Sequence, residues 1–383
     1  MRCDADVLIL GGGCAGLSLA RELAAAGTRC PTTTVLEQRD CYTNDRTWCF
    51  WEADGGPLAA LVRHQWASVS VRAGARQIDV DCAFASYRMI PAGAFYTHAV
   101  GRLARNPAVT LEHGVTILAE PRCRGGVWEV DTSAGIRRAA VVIDTRPASA
   151  PGAARARLWQ SFHGQEIEAE QPVFDPARAM LMDFSDDAGP DIVFTYVLPM
   201  TPYRALVEVT AFGPEPMPTT TLAARTAEQI ARRTGTVRMT VLRSEHGVLP
   251  MGLARPAARP PNNLVRVGLM HGAARPASGY AFQRIQSWAT ACAARLVQRR
   301  APLGHTADPF LLRTMDQLFL SLLRTRPDLA PALFVRLFER ADAARIIRFL
   351  SDQGTLGDCL RVIAALPAGP FLMQLVRSLR MTR

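Results

Sequence analysis

One acidic residue lies inside an otherwise apolar run, where it could donate a proton to a substrate. The run is Arg204-Ala205-Leu206-Val207-Glu208-Val209-Thr210, and strand alternation places Leu206, Glu208 and Thr210 on one face. Poor hydration disfavours an ionised carboxyl, so Glu208 in such surroundings would have a raised pKa and could act as a general acid. A glutamate that points into solvent from an edge strand would give the same pattern. The run therefore marks Glu208 as a candidate acid and leaves its burial open.

The first glycine-rich turn has the spacing of a dinucleotide-binding site. Gly11, Gly13 and Gly16 form a GxGxxG that follows an apolar strand and opens a helix, and Glu37 ends the next strand, 21 positions after Gly16. The glycines allow a tight turn, close approach of the backbone to a pyrophosphate, and close helix–strand packing. The N-terminus of the helix, predicted from Leu17 to Ala26, favours the diphosphate, and Glu37 can accept hydrogen bonds from a ribose. Ala15 in the turn is a further candidate. The segment predicts dinucleotide binding, and by itself it fits FAD and NAD equally.

A second glycine-rich segment, from Val267 to Tyr280, favours FAD. It follows a strand and precedes a helix, so its backbone amides could face an anion as the first turn does. A nucleotide fold that closes on its cofactor a second time, late in the chain, is typical of glutathione-reductase-like FAD domains. A plain strand–turn–helix connection is the alternative.

Aromatic residues cluster just after Glu37, in the segment from Tyr42 to Trp51. Arg46 with Trp48, Phe50 and Trp51 could line a flavin ring or an apolar substrate through stacking and cation–π contacts. An ordinary core cluster would use the same residues. The seven His show no metal-ligand spacing, and no GxSxG or nucleophilic cysteine context is present, so the sequence predicts no metal.

Composition excludes several classes of protein. With 383 residues, 49% hydrophobic and 20% charged, the chain is neither disordered, nor a disulfide-stapled miniprotein, nor a fibre. The nine cysteines are odd in number and form no CxxC pair, which favours a reduced cytoplasmic protein. Acids near the start, at Asp4 and Asp6, are unlike the basic region of a signal peptide, so we expect no secretion.

The net charge of +10 is carried by arginine alone, and it is concentrated near the end of the chain. From Gln298 to Arg383 there are 13 Arg against 7 acids, spread along amphipathic helical segments without a nucleic-acid-binding motif. We therefore expect no nucleic acid partner. The region could bind an anionic membrane surface, or it could be a solvated helical face.

The elements that would position these residues predict an α/β (α+β) protein. A glutathione-reductase-like FAD-binding Rossmann domain is expected with an antiparallel β-sheet substrate domain, because short strands with turn signals dominate the middle of the chain. The last part has helical composition throughout. The predicted FAD domain comprises residues 1–65, 92–155 and 260–300, the substrate domain 66–91 and 156–259, and the basic, membrane-contacting helical region 301–383.

Several motifs along the whole chain resemble those of the flavin-dependent lycopene β-cyclases. Asn44–Trp51 resembles the family's Asn-Asp-His-Thr-Trp-Ser-Phe, and Glu208 stands in its acidic strand, after Tyr196–Pro199. The last glycine-rich loop resembles Ala-Gly-x-x-His-Pro-x-Thr-Gly-Tyr. Further matches are Tyr87–Ile90, Val142–Arg146, Gln160–Ile167, Met182–Phe184 and Glu245–Met251.

The resemblance implies a redox-neutral isomerase of carotenoid biosynthesis. It implies reduced FAD, with NAD(P)H as the reductant, and a hydrophobic polyene or isoprenoid substrate. Glu208 inherits the role of the general acid that starts ring closure at the acyclic end of lycopene. A cytoplasmic protein, peripheral at the inner face of the cell membrane, is expected; the oligomeric state is not determined.

The site residues that the motifs and the resemblance nominate fall into two groups. The first would line the substrate or the flavin, with three further acids on the substrate side: Arg46, Trp48, Phe50, Trp51, Asp183, Glu166 and Glu245. The second would bind the cofactor: Gly11, Gly13, Ala15, Gly16, Glu37, Arg46, Asp144, Gly268, Gly272, Pro276, Gly279 and Tyr280.

Departures from the family pattern leave alternatives open. Val209 stands where the family has a second acid, Arg275 replaces a His, and Ser278 replaces a Thr. A cyclase of another polyene or isoprenoid is one alternative, and an FAD-dependent monooxygenase or prenyl reductase is another. A monooxygenase would normally carry Gly-Asp-Ala in the last glycine-rich loop, which here has no acid. A non-enzymatic flavoprotein or carotenoid-binding protein is the third.

Overall fold

The computed structural model describes residues 3–147, 156–184, 189, 191–253 and 263–381, with the backbone alone for 378–381. Within these ranges the chain forms three β-sheets and nine α-helices. In chain order, the elements are β1 (Ala5–Leu10), α1 (Cys14–Ala25), β2 (Thr33–Leu36), β3 (Thr47–Trp51), β4 (His64–Trp66), β5 (Ser68–Ala73), β6 (Arg76–Asp81), β7 (Tyr87–Pro91), α2 (Ala92–Leu103), β8 (Val109–Glu112), β9 (Arg122–Arg124), β10 (Val127–Thr132), β11 (Gly135–Asp144), β12 (Leu158–Ala169), β13 (Arg178–Phe184), β14 (Ile192–Pro199), β15 (Arg204–Gly213), α3 (Thr219–Thr234), β16 (Met239–Met251), β17 (Leu264–Arg266), α4 (Phe282–Val297), α5 (Phe310–Thr325), α6 (Ala330–Arg340), α7 (Ala343–Leu350), α8 (Leu356–Ala365) and α9 (Ala368–Met381).

The first sheet, here called the nucleotide sheet, contains the first glycine-rich turn. Strands β8, β2, β1 and β11 are parallel neighbours, and β17 pairs in parallel with the carboxyl end of β11. The other half of β11 pairs antiparallel with β10, which pairs with β9. Helices α1, α2 and α4 cover one face through buried side chains such as Leu19, Phe95 and Ala289. The turn after β1 thus lies at the carboxyl edge of a parallel sheet, where ligands bind in such folds.

The second sheet, here called the substrate sheet, has the order β16-β12-β15-β14-β13-β5-β6. Its pairs are antiparallel except β13 with β5. Strand β15 lies inside the sheet, between β12 and β14. Helix α3 covers one face, where Val209 and Ala211 pack against Leu222. The C-terminal helices pack with the other face, in a core that includes Leu206, Leu320 and Phe338.

The predicted fold class is confirmed, although individual elements differ from the expectation. The composition of residues 219–234 is typical of a helix, and α3 spans Thr219–Thr234. Residues 87–91, predicted as part of the substrate domain, form β7 in a small separate sheet with β3 and β4. The predicted boundaries near residues 155 and 260 lie outside the described residues. Strands β12 and β16 were not predicted, because polar residues and a glycine interrupt the apolar pattern in both.

No single helix among the described residues combines the length and the apolar composition needed to cross a membrane. Helices α8 and α9 satisfy both criteria only when they are taken as a pair, and their axes are bent by 102° at the break between them.

Candidate active site

A cavity of about 1110 Å³ extends from the nucleotide sheet, past the substrate sheet, to the C-terminal helices. It brings together residues that the sequence analysis nominated from separate motifs. Those that line it are Gly11, Gly13, Ala15, Glu37, Arg46, Trp48, Trp51, Glu208, Glu245, Gly268, Gly279 and Tyr280. The cofactor candidates that do not line it are Gly16, Asp144, Gly272 and Pro276.

Phe50 does not line the cavity, so its nomination as a lining residue was wrong. Its side chain is buried in the core between the nucleotide sheet and its helices. There it stacks on Phe282, and the two ring centroids are 5.2 Å apart. Strand alternation places Trp48 and Phe50 on the same side of β3, and both rings stack on Phe282, but of the two strand residues only Trp48 lines the cavity.

Two of the three additional acids are also misplaced by the sequence interpretation. Asp183 pairs with Arg72, at 2.9 Å from Nε, and with Arg233 on α3 at 2.5 Å. Glu166 accepts hydrogen bonds from Arg204 Nε at 2.6 Å and Arg243 Nε at 2.5 Å. Neither carboxylate lines the cavity. Both are engaged in ion pairs within the protein, which accounts for their burial.

The first turn has the geometry that its glycines predicted. Gly11 has φ +96°, which favours glycine. A Cβ on Gly16 would lie 2.0 Å from the Gly11 carbonyl oxygen, so this position must be glycine for the helix to approach the strand. A Cβ on Gly13 would meet no protein atom within 4 Å. Gly13 also begins α1 without any side-chain cap, which leaves the first amides of the helix available to an anion.

Glu37 lies beside this turn and is held as a carboxylate. Its Oε2 accepts a hydrogen bond from the Gly12 amide at 2.7 Å, and Arg39 donates to Oε1 from its amide and from Nε. Burial opposes ionisation, but the hydrogen bonds and the charge of Arg39 lower the pKa of Glu37 overall. A negative group is therefore present at the cavity wall where a ribose was predicted to bind.

The last glycine-rich loop closes on the same cavity. Gly268 and Gly279 have φ +99° and +72°, and both line the cavity together with Ser278 and Tyr280. Arg275 lines it too, although only 1% of its surface is exposed. Its guanidinium lies 4.0 Å from the ring centroid of Phe349 and 3.5 Å from Asp316 of α5. This arginine thereby connects the loop to the C-terminal helices.

The decisive feature of the substrate sheet is one rung that crosses four strands. Glu208 pairs with Tyr196 of β14 on one side and with Gly164 of β12 on the other, and Gly164 pairs in turn with Glu245 of β16. Residues paired in this way share a face of the sheet. A Cβ on Gly164 would lie 3.2 Å from the Glu208 Cβ, so the glycine leaves the space between the two acids free of a side chain.

Glu208 is buried, and the edge-strand alternative is wrong because β15 lies inside the sheet. Thr210 Oγ1 donates a hydrogen bond to Glu208 Oε1 at 2.8 Å. Burial, reinforced by the negative charge of Glu245, raises the pKa of Glu208 to about 8. Its other oxygen, Oε2, has no hydrogen-bond partner among the described residues. Glu208 is therefore a neutral acid at pH 7 whose Oε2 can carry the proton.

Glu245 has a different environment on the same face. Its Oε2 accepts a hydrogen bond from Thr47 Oγ1 at 2.8 Å and pairs with Arg243, which also donates to Thr47 at 2.7 Å. The arginine supplies the positive charge that a buried carboxylate needs. The two acids of this rung therefore have different environments. Glu208 is buried beside another acid, and Glu245 is ion-paired with Arg243.

Aromatic and other weakly polar groups form the wall beside Glu208. The hydroxyls of Tyr87 and Tyr196 are 2.9 Å apart, and the Trp51 ring is 4.6 Å from that of Tyr87. Burial raises the pKa of both tyrosines and raises that of Cys49 to about 12, so all three are neutral. A wall of neutral π-systems suits a positively charged intermediate.

The cofactor pocket fits a dinucleotide such as FAD. The space beyond Gly13 and the uncapped start of α1 suit a diphosphate, and the cavity is continuous from Glu37 to Glu208. Gly11, Gly13, Ala15 and the loop at Gly268 and Gly279 would hold it. The part of the cavity beside the first glycine-rich turn thus fits the cofactor, and the part beside the substrate sheet presents an acid.

Sequence reasoning missed Thr47, Gly164, Thr210 and Arg243 as site residues. The available signal was weak: Gly164 is a glycine inside a strand, which often marks close approach of another group. Thr210 and Arg243 each contact an acid two positions away on the same strand, which strand alternation could have indicated. Thr47 contacts Glu245 from another strand, and the sequence does not specify that pairing. Among the described residues, no group of three or more His, Cys, Asp or Glu could hold a metal ion.

The fold is shared with flavin-dependent enzymes. A triple-mutant structure of the flavin-dependent brominase Bmp2 matches with TM-score 0.63 at 13% identity, over 94% of this chain and 98% of that one. The family of this chain is shown by its sequence. The chain matches the family model described as Lycopene cyclase protein over residues 6–376, and it belongs to that family. The predicted family is thus confirmed.

Two relatives are both named lycopene beta-cyclase. The chain is 26% identical over 388 residues to a lycopene beta-cyclase of Paracoccus sp. (strain N81106 / MBIC 01143), with 95% of each chain covered. It is 28% identical over 351 residues to a lycopene beta-cyclase of Pantoea ananas, covering 86% of this chain and 87% of the relative.

Proposed function

We propose that this protein is an isomerase that closes the acyclic ends of lycopene into β-ionone rings and requires reduced FAD. The observation that carries the proposal is the position of Glu208. It is a buried, protonated carboxyl on the wall of a cavity that continues to the first glycine-rich turn. A hydrocarbon offers no polar handle, so its activation requires a proton donor at a dry site.

Ring closure would begin when Glu208 Oε2 transfers its proton to the terminal double bond of the substrate. The resulting tertiary cation is attacked by a neighbouring double bond, and a six-membered ring forms. Loss of an adjacent proton gives the ring double bond. Substrate and product are isomers, so no electrons are consumed.

The surroundings of Glu208 favour this chemistry. Thr210 orients the carboxyl through Oε1, and the rings of Trp51, Tyr87 and Tyr196 exclude water, which would otherwise quench the cation. Reduced flavin, when bound, would supply negative charge that stabilises the cation electrostatically. NAD(P)H is the proposed reductant. Anaerobic reduction of the bound flavin by NADPH, followed at 450 nm with dithionite as the reference, tests this part of the proposal.

Expression in a host that accumulates lycopene tests the function. We expect a pigment with the mass of lycopene and rings at its ends. A product of higher or lower mass would indicate oxygenation or reduction and would contradict the proposal. Arg275 and Ser278, which differ from the family pattern, line the cavity. A second candidate is therefore a related polyene, tested by the same analysis in hosts that accumulate other acyclic carotenoids.

We also propose that the C-terminal helices bind the inner face of the cell membrane, where such a substrate is dissolved. Leu311, Ile363, Leu372 and Leu375 are exposed and also line the cavity, so the cavity opens between apolar side chains. Arg361 and Arg377 are exposed on the same helices. An apolar rim with flanking cations favours an anionic lipid surface.

Sedimentation with vesicles of phosphatidylglycerol and phosphatidylcholine tests this surface. Binding is expected to weaken as salt rises, because the arginines are solvent-exposed. Leu372→Glu should reduce vesicle binding. Leu118→Glu, at a similarly exposed leucine in the predicted FAD domain, should not reduce it. Equal binding by both variants at all salt concentrations would contradict the proposed surface.

A further inference from the structure

Ring closure leaves one proton that must be removed, and the carbon that loses it is not the carbon that Glu208 protonates. When the ring has formed, Glu208 has just become a carboxylate next to the carbon that it protonated. The proton to be lost is on a different ring carbon. Both carbons are bonded to the carbon that carried the first cation, and a base on the far side of the ring reaches the proton on the face turned away from Glu208. A second base on the same cavity wall would therefore complete the reaction, and this reasoning rests on the proposed function.

Glu245 has the required position. It lies on the same face as Glu208, two strands away, which separates the two Cα atoms by about 9.5 Å. Both side chains line the cavity, and the intervening residue, Gly164, has no side chain. A six-membered ring can therefore lie against the sheet with one acid at each side.

The hydrogen bonds of Glu245 leave one oxygen for this task. Thr47 and Arg243 both contact Oε2, and Oε1 has no hydrogen-bond partner among the described residues. An ion-paired carboxylate is a weak base. A proton adjacent to a carbocation is strongly acidic, however, so a weak base in the right place is sufficient. Glu166, the other carboxylate paired with Arg243, does not line the cavity.

We propose that Glu245 Oε1 accepts the proton released on ring closure, while Glu208 supplies the proton that starts it. One C–H bond forms at the expense of the Glu208 O–H bond, and one C–H bond breaks as the Glu245 O–H bond forms. After the product leaves, Glu245 releases its proton to solvent and Glu208 takes one up from solvent, so both acids regain their starting states. No oxidant or reductant is consumed in the cycle.

The test compares Glu245→Gln with Glu166→Gln. Both are assayed as flavin-bound enzymes with reduced flavin and lycopene. Both variants remove one carboxylate partner of Arg243, and only Glu245 faces the cavity. Glu245→Gln should form β-rings about 10²-fold more slowly. Its cation should lose other protons or capture water, which yields rings with a displaced double bond or a hydroxyl group. Glu166→Gln should form β-rings only, within about tenfold of the normal rate.

Three results would overturn this assignment. One is a Glu245→Gln enzyme that forms only β-rings at the normal rate. Another is an equal loss in both glutamine variants with β-rings as the sole product. Glu245→Asp keeps a carboxylate and should restore β-rings as the sole product, and failure of this rescue also contradicts the assignment. If the unaltered protein forms no ring from lycopene, the proposed function fails instead.

Discussion

The two sheets contribute to the cavity in different ways. In the nucleotide sheet, the glycines predicted to bind the diphosphate come from one short stretch, a strand followed directly by a turn and a helix. In the substrate sheet, the two acids and the glycine between them come from three strands that are distant in sequence. One site is built along the chain, whereas the other is built across it.

This difference determines how each site tolerates change. At the glycine turn, a substitution acts on the backbone itself or on the space next to it. At the rung, a substitution acts on the partner two strands away, because the charge of Glu245 raises the pKa of Glu208 across Gly164. Variants at the glycine turn and at the rung test whether flavin binding and ring formation can be disrupted independently.

Glu208→Gln should reduce ring formation by roughly 10³-fold and leave flavin binding unchanged, because it keeps the volume and removes the acidic proton. Flavin content by absorbance and pigment analysis measure the two effects separately. Glu168→Gln, an exposed acid on β12, is the matched control and should be fully active. Wild-type ring formation by Glu208→Gln would exclude Glu208 as the acid.

Gly13→Val should weaken flavin binding on the order of 100-fold, since its side chain would occupy the space proposed for the diphosphate. The protein should remain folded, because a Cβ at this position contacts no protein atom. Gly101→Val on α2, where a Cβ is equally free, is the control. Full flavin occupancy in Gly13→Val would break the cofactor assignment.

The pH dependence of activity and of stability should reflect the protonation of Glu208 in the substrate sheet, and not the nucleotide sheet. With the pKa of Glu208 raised to about 8, kcat/KM should fall about tenfold per pH unit above that value. The unfolded chain releases this proton near the ordinary value of 4.5, so the folded state loses stability as pH rises from there to about 8. Thermal unfolding of Glu208→Gln should lack this loss. An identical pH dependence in both proteins would contradict the buried acid.

Val209→Glu should leave the chemistry unchanged and reduce only stability. Position 209 faces α3 in an apolar group with Val193 and Leu222, on the reverse side of the sheet from Glu208. A carboxyl introduced there would be buried without a partner and should cost roughly 3 kcal/mol of unfolding free energy. Faster ring formation in this variant, measured by pigment analysis, would show that a second acid at this position reaches the substrate.

The sequence predicted the family, the fold class and the acid, but not the arrangement around the acid. Asp183 and Glu166 had the right residue type for a site and proved to be partners of arginines on other elements. Phe50 belonged to the right segment and is buried in the core, where it stacks on Phe282. In each case the deciding neighbour is remote in sequence, so no local pattern could reveal it.

The sequence by itself determined the glycine turn, since positive φ at Gly11 and close packing at Gly16 are requirements of a few adjacent residues. It also determined that an acid lies in an apolar strand. Only the tertiary structure decided that Glu208 is buried, that Gly164 opens the space beside it, and that Glu245 stands on the same rung. The physical reason is that strand register depends on pairing between distant segments, and a shift of one residue would turn these side chains to opposite faces.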